Sequence, residues 1–168
     1  TSRLKVNWQL ADNTKIKFLI SQVDLNDPAD IWTIDGSLNT LSDRPGMDSQ
    51  KTNSYGMKVF HSFDGFELQS YTSSTDTNVI FSYDADWGNA DSHFPYVYDY
   101  FSETLRDRKS FNQEFRIVSD SADFQENSFF EWVIGANYLE LKESNLKKDD
   151  GLYGDPSDPY GPYASASA

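Results

Sequence analysis

The chain has 168 residues, one domain's worth of length, with 27 acidic side chains against 14 basic ones and a formal charge of −13. That balance excludes a nucleic-acid binder of the usual kind, which needs a basic face to neutralise phosphates. The absence of cysteine excludes disulfide scaffolds, Cys-ligated zinc and thiol nucleophiles. Hydrophobic residues reach only 38%, yet aromatics reach 15%, too rich for a disordered acidic chain.

Period-2 alternation dominates from the start. In Leu4-Lys5-Val6-Asn7-Trp8-Gln9-Leu10 every second residue is apolar, so a strand here has one greasy and one wet face. Ala11-Asp12-Asn13-Thr14 is turn chemistry, because Asp and Asn tolerate a left-handed backbone. Ile16, Phe18 and Ile20 then alternate with mostly polar residues, which predicts a first hairpin over roughly 2–23. A long polar segment, 24–51, follows. Tyr55, Met57 and Val59 resume the alternation, and Ser62-Phe63-Asp64-Gly65 supplies a tight Asp-Gly turn. The return strand starts at Phe66, giving a second hairpin over 52–83. After a second long segment, 84–108, Phe111-Asn112-Gln113-Glu114-Phe115-Arg116-Ile117 alternates again. A polar turn spans Ser119 to Asn127, and Phe130 to Tyr138 forms the last strand, so the third hairpin covers 109–142. The third long segment is 143–168. No stretch sustains apolar residues at helical spacing, so almost no helix is expected. A chain that opens at Thr1 directly on a strand and closes on Asp155-Pro156-Ser157-Asp158-Pro159-Tyr160-Gly161-Pro162 reads as a piece cut from a longer one.

The connections alternate short and long. Strands joined in this way form an antiparallel up-and-down meander of about six strands, all-β, with short turns at one end and long loops at the other. Bacterial outer-membrane barrels have this asymmetry, and their strands of ~9–11 residues or more suit a tilted bilayer crossing. No window approaches the ~18 apolar residues of a membrane helix, but barrel strands read as polar on average. The long segments 24–51, 84–108 and 143–168 carry net charges of −4, −4 and −3, so most of the chain's −13 sits on one rim. Trp8, Phe130, Trp132 and Tyr138 lie near strand ends, where interfacial girdles of a barrel place aromatic rings. The same residues would equally suit the core of a soluble β protein.

Several runs resemble TonB-dependent outer-membrane receptors. They are Thr40-Leu41-Ser42-Asp43-Arg44-Pro45-Gly46-Met47-Asp48-Ser49-Gln50 in the first long segment and Leu68-Gln69-Ser70-Tyr71-Thr72-Ser73-Ser74-Thr75-Asp76 in the second hairpin. Tyr83-Asp84-Ala85-Asp86-Trp87 and Leu105-Arg106-Asp107-Arg108 follow in order. Next comes Phe111-Asn112-Gln113-Glu114-Phe115-Arg116-Ile117-Val118-Ser119, similar to the family's "SQELRLxS" strand. Trp132-Val133-Ile134-Gly135-Ala136-Asn137-Tyr138-Leu139 is similar to its "WxxGxYY" partner. The match covers most of 2–142. The resemblance implies part of a large transmembrane β-barrel of ~22 strands with a plugged lumen, in the outer membrane of a Gram-negative bacterium. It implies uptake of a scarce external ligand (ferric siderophore, haem, cobalamin or oligosaccharide) with energy from the TonB complex. The plug domain and TonB box of family members have no counterpart here, and two strand edges would be left unpaired.

Candidate site residues follow from this frame. Segment 81–101 is crowded with aromatics, and Trp87, Tyr96 and Tyr98, with Trp32 from the neighbouring loop, are the expected external ligand-binding residues, by stacking on a planar or sugar ligand. Loop self-packing is the competing account. Glu114 and Arg116 share the polar face of one strand and would face the lumen, to touch a plug or to remain a solvated pair. Asp84-Ala85-Asp86-Trp87-Gly88-Asn89-Ala90-Asp91 spaces oxygen ligands as a calcium loop does, but lacks the terminal bidentate Glu and flanking helices of an EF-hand. His61 and His93 have no second His nearby, and no Ser-His-Asp spacing is present, so neither a metal centre, a cofactor nor an enzyme is expected. The expected partners are outer-membrane lipid, the external ligand and the TonB complex through a plug. The alternative function is a secreted acidic β-sandwich that binds carbohydrate through exposed aromatics.

Overall fold

The computed structural model describes residues 1–30, 32–119, 131–155 and 157. Six strands and no helix occur among them: β1 (Ser2–Ala11), β2 (Thr14–Pro28), β3 (Met47–Phe63), β4 (Phe66–Asp84), β5 (Val97–Ser119) and β6 (Val133–Gly154). They form one antiparallel sheet in the order β1-β2-β3-β4-β5-β6, the up-and-down meander expected from the alternating connections. β1 and β6 each have a neighbour on one side only, so each leaves an edge of unpaired backbone groups. No second sheet lies among the described residues, and the two-layer sandwich of the alternative reading has no counterpart there.

The first hairpin fixes the faces. Leu4 stands opposite Ile20, Val6 opposite Phe18 and Trp8 opposite Ile16, so the apolar residues of both strands share one face. Asn7 opposite Lys17 and Gln9 opposite Lys15 share the other. Ring contacts carry that polar face across the sheet. The Lys17 ammonium lies 5.1 Å from the Phe60 ring centre, and Lys58 and Arg116 lie 4.8 and 5.3 Å from that of Tyr71. On the apolar side Gln113 interrupts the set Phe111, Phe115 and Ile117. Its carbonyl accepts from the Thr72 hydroxyl at 2.6 Å, and its amide N–H group donates to Ser70 Oγ at 3.1 Å and to the Glu114 carbonyl at 3.2 Å. A polar group on that face is therefore saturated within the sheet.

The described residues have no buried apolar side chain at all; the buried side chains are polar, Ser82, Asp84, Asp86 and Ser102. Leu4 is 57% exposed, Trp8 52% and Ile134 66%. Burying one such side chain is worth about 1.5–3 kcal/mol, and a folded chain needs many of these to offset the entropy of ordering its backbone.

The chain divides into two compact units. The first comprises Thr1–Val23, Thr52–Thr77 and Arg108–Glu143, and the second Asp24–Lys51, Asn78–Asp107 and Ser144–Ala168. In the first unit the turns are tight. Gly65, at φ 83°, takes the left-handed conformation that the Asp64-Gly65 turn requires. The Asn13 carbonyl accepts from the Ser62 N–H at 2.9 Å, and the Thr14 hydroxyl meets His61 Nδ1 at 2.7 Å, so His61 ties two turns together. Phe63 and Phe66 stack beside them at 4.7 Å. Trp8, on the apolar face, lies four residues before the Asp12-Asn13 turn.

The strands run further than the alternation predicts. β2 extends to Pro28, β3 begins at Met47, β5 begins at Val97 and β6 continues to Gly154, so the first two long connections shrink to 29–46 and 85–96. These extensions mix polar residues with Val97, Tyr98, Phe101 and Leu146 and show no sustained period-2 alternation. Backbone pairing and polar cross-strand contacts hold them instead: Asn78 donates to Asp107 at 2.6 Å, and Lys148 pairs with Glu103 at 3.2 Å. The polar turn expected at Ser119 to Asn127 and the strand start at Phe130 fall largely on 120–130, outside the described residues, and β6 begins at Val133.

Candidate ligand-binding cleft

The second unit holds a cleft of about 550 Å³ built from the two long connections and the ends of β2, β3 and β4. Its apolar wall is Pro28, Trp32, Phe81, Tyr83 and Trp87; its polar wall is Asp27, Asp30, Ser42, Asp48 and Asp84. Among the described residues no Lys or Arg lines it.

Local chemistry sets each piece. Ser82 and Asp84 lie two apart on β4, so the strand periodicity turns both to one side; Asp86 follows in the bend after the strand, and all three are buried. Asp86 is fully engaged: one carboxylate oxygen accepts from the Gly88 N–H at 2.9 Å, the other from the Tyr100 N–H at 2.8 Å. These bonds hold the intervening Trp87 at φ 58°, a left-handed conformation that costs a bulky residue of order 1–3 kcal/mol. The strained residue presents its indole to Trp32, the ring centres 6.1 Å apart and the planes inclined by 32°.

The first long connection is fastened beside this wall. Asp30 accepts from the Asp84 N–H at 3.3 Å and, through its other oxygen, from the Gly46 N–H. Gly46 lies so close to β4 that a Cβ there would stand 2.3 Å from the Ser82 carbonyl oxygen. Met47 N–H donates to Ser82 Oγ at 3.1 Å. Arg44 completes the fastening, with Asp99 at 3.3 Å, Asp150 at 3.0 Å and its guanidinium 4.6 Å from the Phe101 ring centre. The loop run that carries the family resemblance thus has a structural task here: Arg44 and Gly46 pin it down.

Asp84 differs from its neighbours. It is 1% exposed, the most buried residue of the lining. Its Oδ1 accepts from the Asp86 N–H at 3.3 Å, but its Oδ2 has no hydrogen-bond partner, nor does the buried Ser42 Oγ beside it. Asp84 ends β4, well past the ~9–11 residues that a bilayer crossing needs. Burial, and then the neighbouring Asp86, push its carboxyl above the ordinary aspartate value, while the nearby Ser42 hydroxyl opposes the rise.

The expected site residues separate into groups. Trp32 and Trp87 meet and line the cleft. Tyr96 and Tyr98 instead line a second, smaller cleft of about 280 Å³ with His93 and Tyr153, where Tyr98 lies 5.2 Å from His93 and 6.4 Å from Tyr153. Glu114 and Arg116 belong to the first unit and pair with each other. The calcium reading of 84–91 finds no support, because no group of three or more carboxylate or imidazole residues able to hold a metal ion occurs among the described residues. The side-chain oxygens there bond to backbone N–H groups: the Asp84 and Asp86 carboxylates and the Asn89 amide oxygen each accept from the residue two further on. Asp30, Ser42 and Asp84 escaped the sequence reading. The one available signal was the i, i+2 spacing of Ser82, Asp84 and Asp86, which places polar groups on one side of a strand end.

No protein-family model matches the chain, and no curated protein matches it.

Proposed function

We propose that the chain is a section of an outer-membrane active-transport receptor of the TonB-dependent class, which captures a scarce ligand outside the cell and imports it with TonB-coupled energy. The observation that supports this reading is the exposed apolar face: a six-stranded meander with no buried apolar side chain among its described residues gains from an apolar medium against that face. Lipid supplies it at no cost to the backbone, provided every strand edge is paired by further strands of a closed barrel. Strands of 17 to 23 residues from β3 to β6 are long enough to cross and then project well beyond the bilayer. The self-satisfied Gln113 suits a lipid-facing position. Lys17, Lys58, Glu114 and Arg116 then face the lumen, where a plug would meet them, and the cleft between Trp32 and Trp87 lies in the external loops.

The test uses the intact receptor in Gram-negative cells. A membrane-impermeant maleimide should label Ser37→Cys from outside and leave Asp64→Cys unlabelled until the outer membrane is permeabilised. In vesicles, brominated acyl chains should quench Trp8 fluorescence. Labelling of both cysteines alike, or a Trp8 untouched by brominated lipid, would overturn the reading.

A further inference from the structure

We infer that a pocket on the polar face of the first unit, floored by Gly56, binds a small multivalent anion through the ammonium groups of Lys5, Lys17 and Lys58. The inference goes beyond the receptor reading, since it needs only that face and not what surrounds the sheet.

The pocket has a volume of about 540 Å³. Gly56, Lys58 and Phe60 alternate along β3 and so share one side of the sheet. A Cβ at Gly56 would meet only the Leu19 Cβ, at 3.7 Å, so the missing side chain leaves a hollow beside Leu19. Phe60 and Tyr71 wall it, edge to face with ring centres 5.9 Å apart. One lysine comes from each of β1, β2 and β3, and Lys5 stands opposite Leu19 itself.

The positive charge there has no internal partner. Among the described residues, Lys109, Lys142, Lys147 and Lys148 each have a carboxylate within ion-pairing distance, and Lys5, Lys17 and Lys58 have none. This holds in a chain with 27 acidic side chains against 14 basic ones. The one carboxylate in the pocket wall, Glu114, is taken by Arg116. The rings of Phe60 and Tyr71 hold the Lys17 and Lys58 ammonium groups in place, and a ring face leaves N–H donors free for a charged acceptor. Like charges gathered at one pocket repel, and an anion that bridges them removes the repulsion. Neighbouring strands lie about 4.8 Å apart, so a ligand must carry several anionic groups to reach lysines on three of them. An ammonium on a flexible stem reads carboxylate and phosphate alike as point charges, so the ligand class is set by charge and number. The volume suits a small molecule.

The experiment is calorimetry on the intact protein in detergent with citrate and tripolyphosphate as probes, and triethyl citrate as the neutral counterpart. Saturable binding of at least one anion is expected, and the tighter of the two tells carboxylate from phosphate as the recognised group. Lys17→Gln and Lys58→Gln should each weaken it about three- to tenfold, and Lys17→Glu more than either. Gly56→Leu fills the floor without changing charge and should weaken it too. Lys142→Gln, which removes a lysine already paired with Glu140, should leave affinity unchanged. In the wild-type protein, the bound anion should protect Lys17 and Lys58 from acetylation by a water-soluble ester and leave Lys142 reactive; this arm stays decisive if the variants fold poorly. Lack of binding by both anions overturns the inference, as does equal binding of triethyl citrate. An equal loss in Lys142→Gln and Lys17→Gln also overturns it, because net charge and not the pocket would then be responsible. Lys17 and Lys58 unreactive before any anion is added would mean that another part of the protein fills the hollow, and would overturn it as well. None of these results bears on the external labelling of Ser37→Cys, so the receptor reading stands or falls separately.

Discussion

The two units share five strands, β2 to β6, with β1 wholly in the first, and differ in almost everything carried on them. The first holds 11 acidic and 9 basic residues, a net −2; the second holds 16 and 5, a net −11. In the first the side chains alternate apolar and polar, and the turns are tight. In the second the strands mix acidic residues with aromatics such as Phe81, Tyr83, Tyr98 and Phe101 without that regular alternation, and the connections fold into clefts. Strand pairing is a property of the backbone and tolerates either dress. The side-chain pattern is what differs: one apolar and one polar face in the first unit, an acidic and irregular pattern in the second.

The largest test of this contrast places a charge on each face of β1. In the intact protein reconstituted in vesicles, Val6→Arg should lower unfolding stability by about 2–4 kcal/mol if its face meets lipid near the bilayer midplane. The adjacent Asn7→Arg, on the polar face, should change it little. Denaturant unfolding followed by tryptophan emission measures both, and equal effects would erase the distinction between the faces. Next in size is Gly46→Val. Its side chain must enter space held by the Ser82 carbonyl, so the first long connection should lift from β4 at a cost of about 1–3 kcal/mol. Limited proteolysis should then cut within 29–46 while the tight turns stay resistant. The smallest effect is expected for Arg44→Ala. Its two ion pairs and the Phe101 contact are partly exposed, so the loss should be about 1–2 kcal/mol and shrink in high salt. Arg44→Lys should not restore it, because one ammonium cannot reach both carboxylates and stack on a ring.

The first unit was readable because its physics is local in sequence. Trp8 and Ile16 end up on one face since both obey a period of two on either side of a two-residue turn, and the pairing of Val6 with Phe18 follows. The second unit resisted for the converse reason. Val97, Tyr98, Tyr100 and Phe101 put apolar side chains on both sides of the strand, so 97–110 shows no clean alternation, and β5 begins well before the regular apolar repeat at Phe111. Trp32 and Trp87 were legible as aromatics in long connections, and their meeting follows from both connections sharing one end of a meander. Tyr98 went elsewhere, drawn to His93 and Tyr153, a partner more than 50 residues away with no local signal.

By itself, then, the order of residues determined the all-β class, the antiparallel meander, the two-faced strands and the acidity of the long connections. Each depends on neighbours within a hairpin. Only the tertiary structure decided that Asp86 is satisfied while Asp84 is not, that Gly46 is pressed against Ser82, and that two of the four expected aromatics share a cleft. Burial and hydrogen-bond satisfaction depend on which distant backbone groups arrive at a side chain, and alternation along a strand carries no record of that.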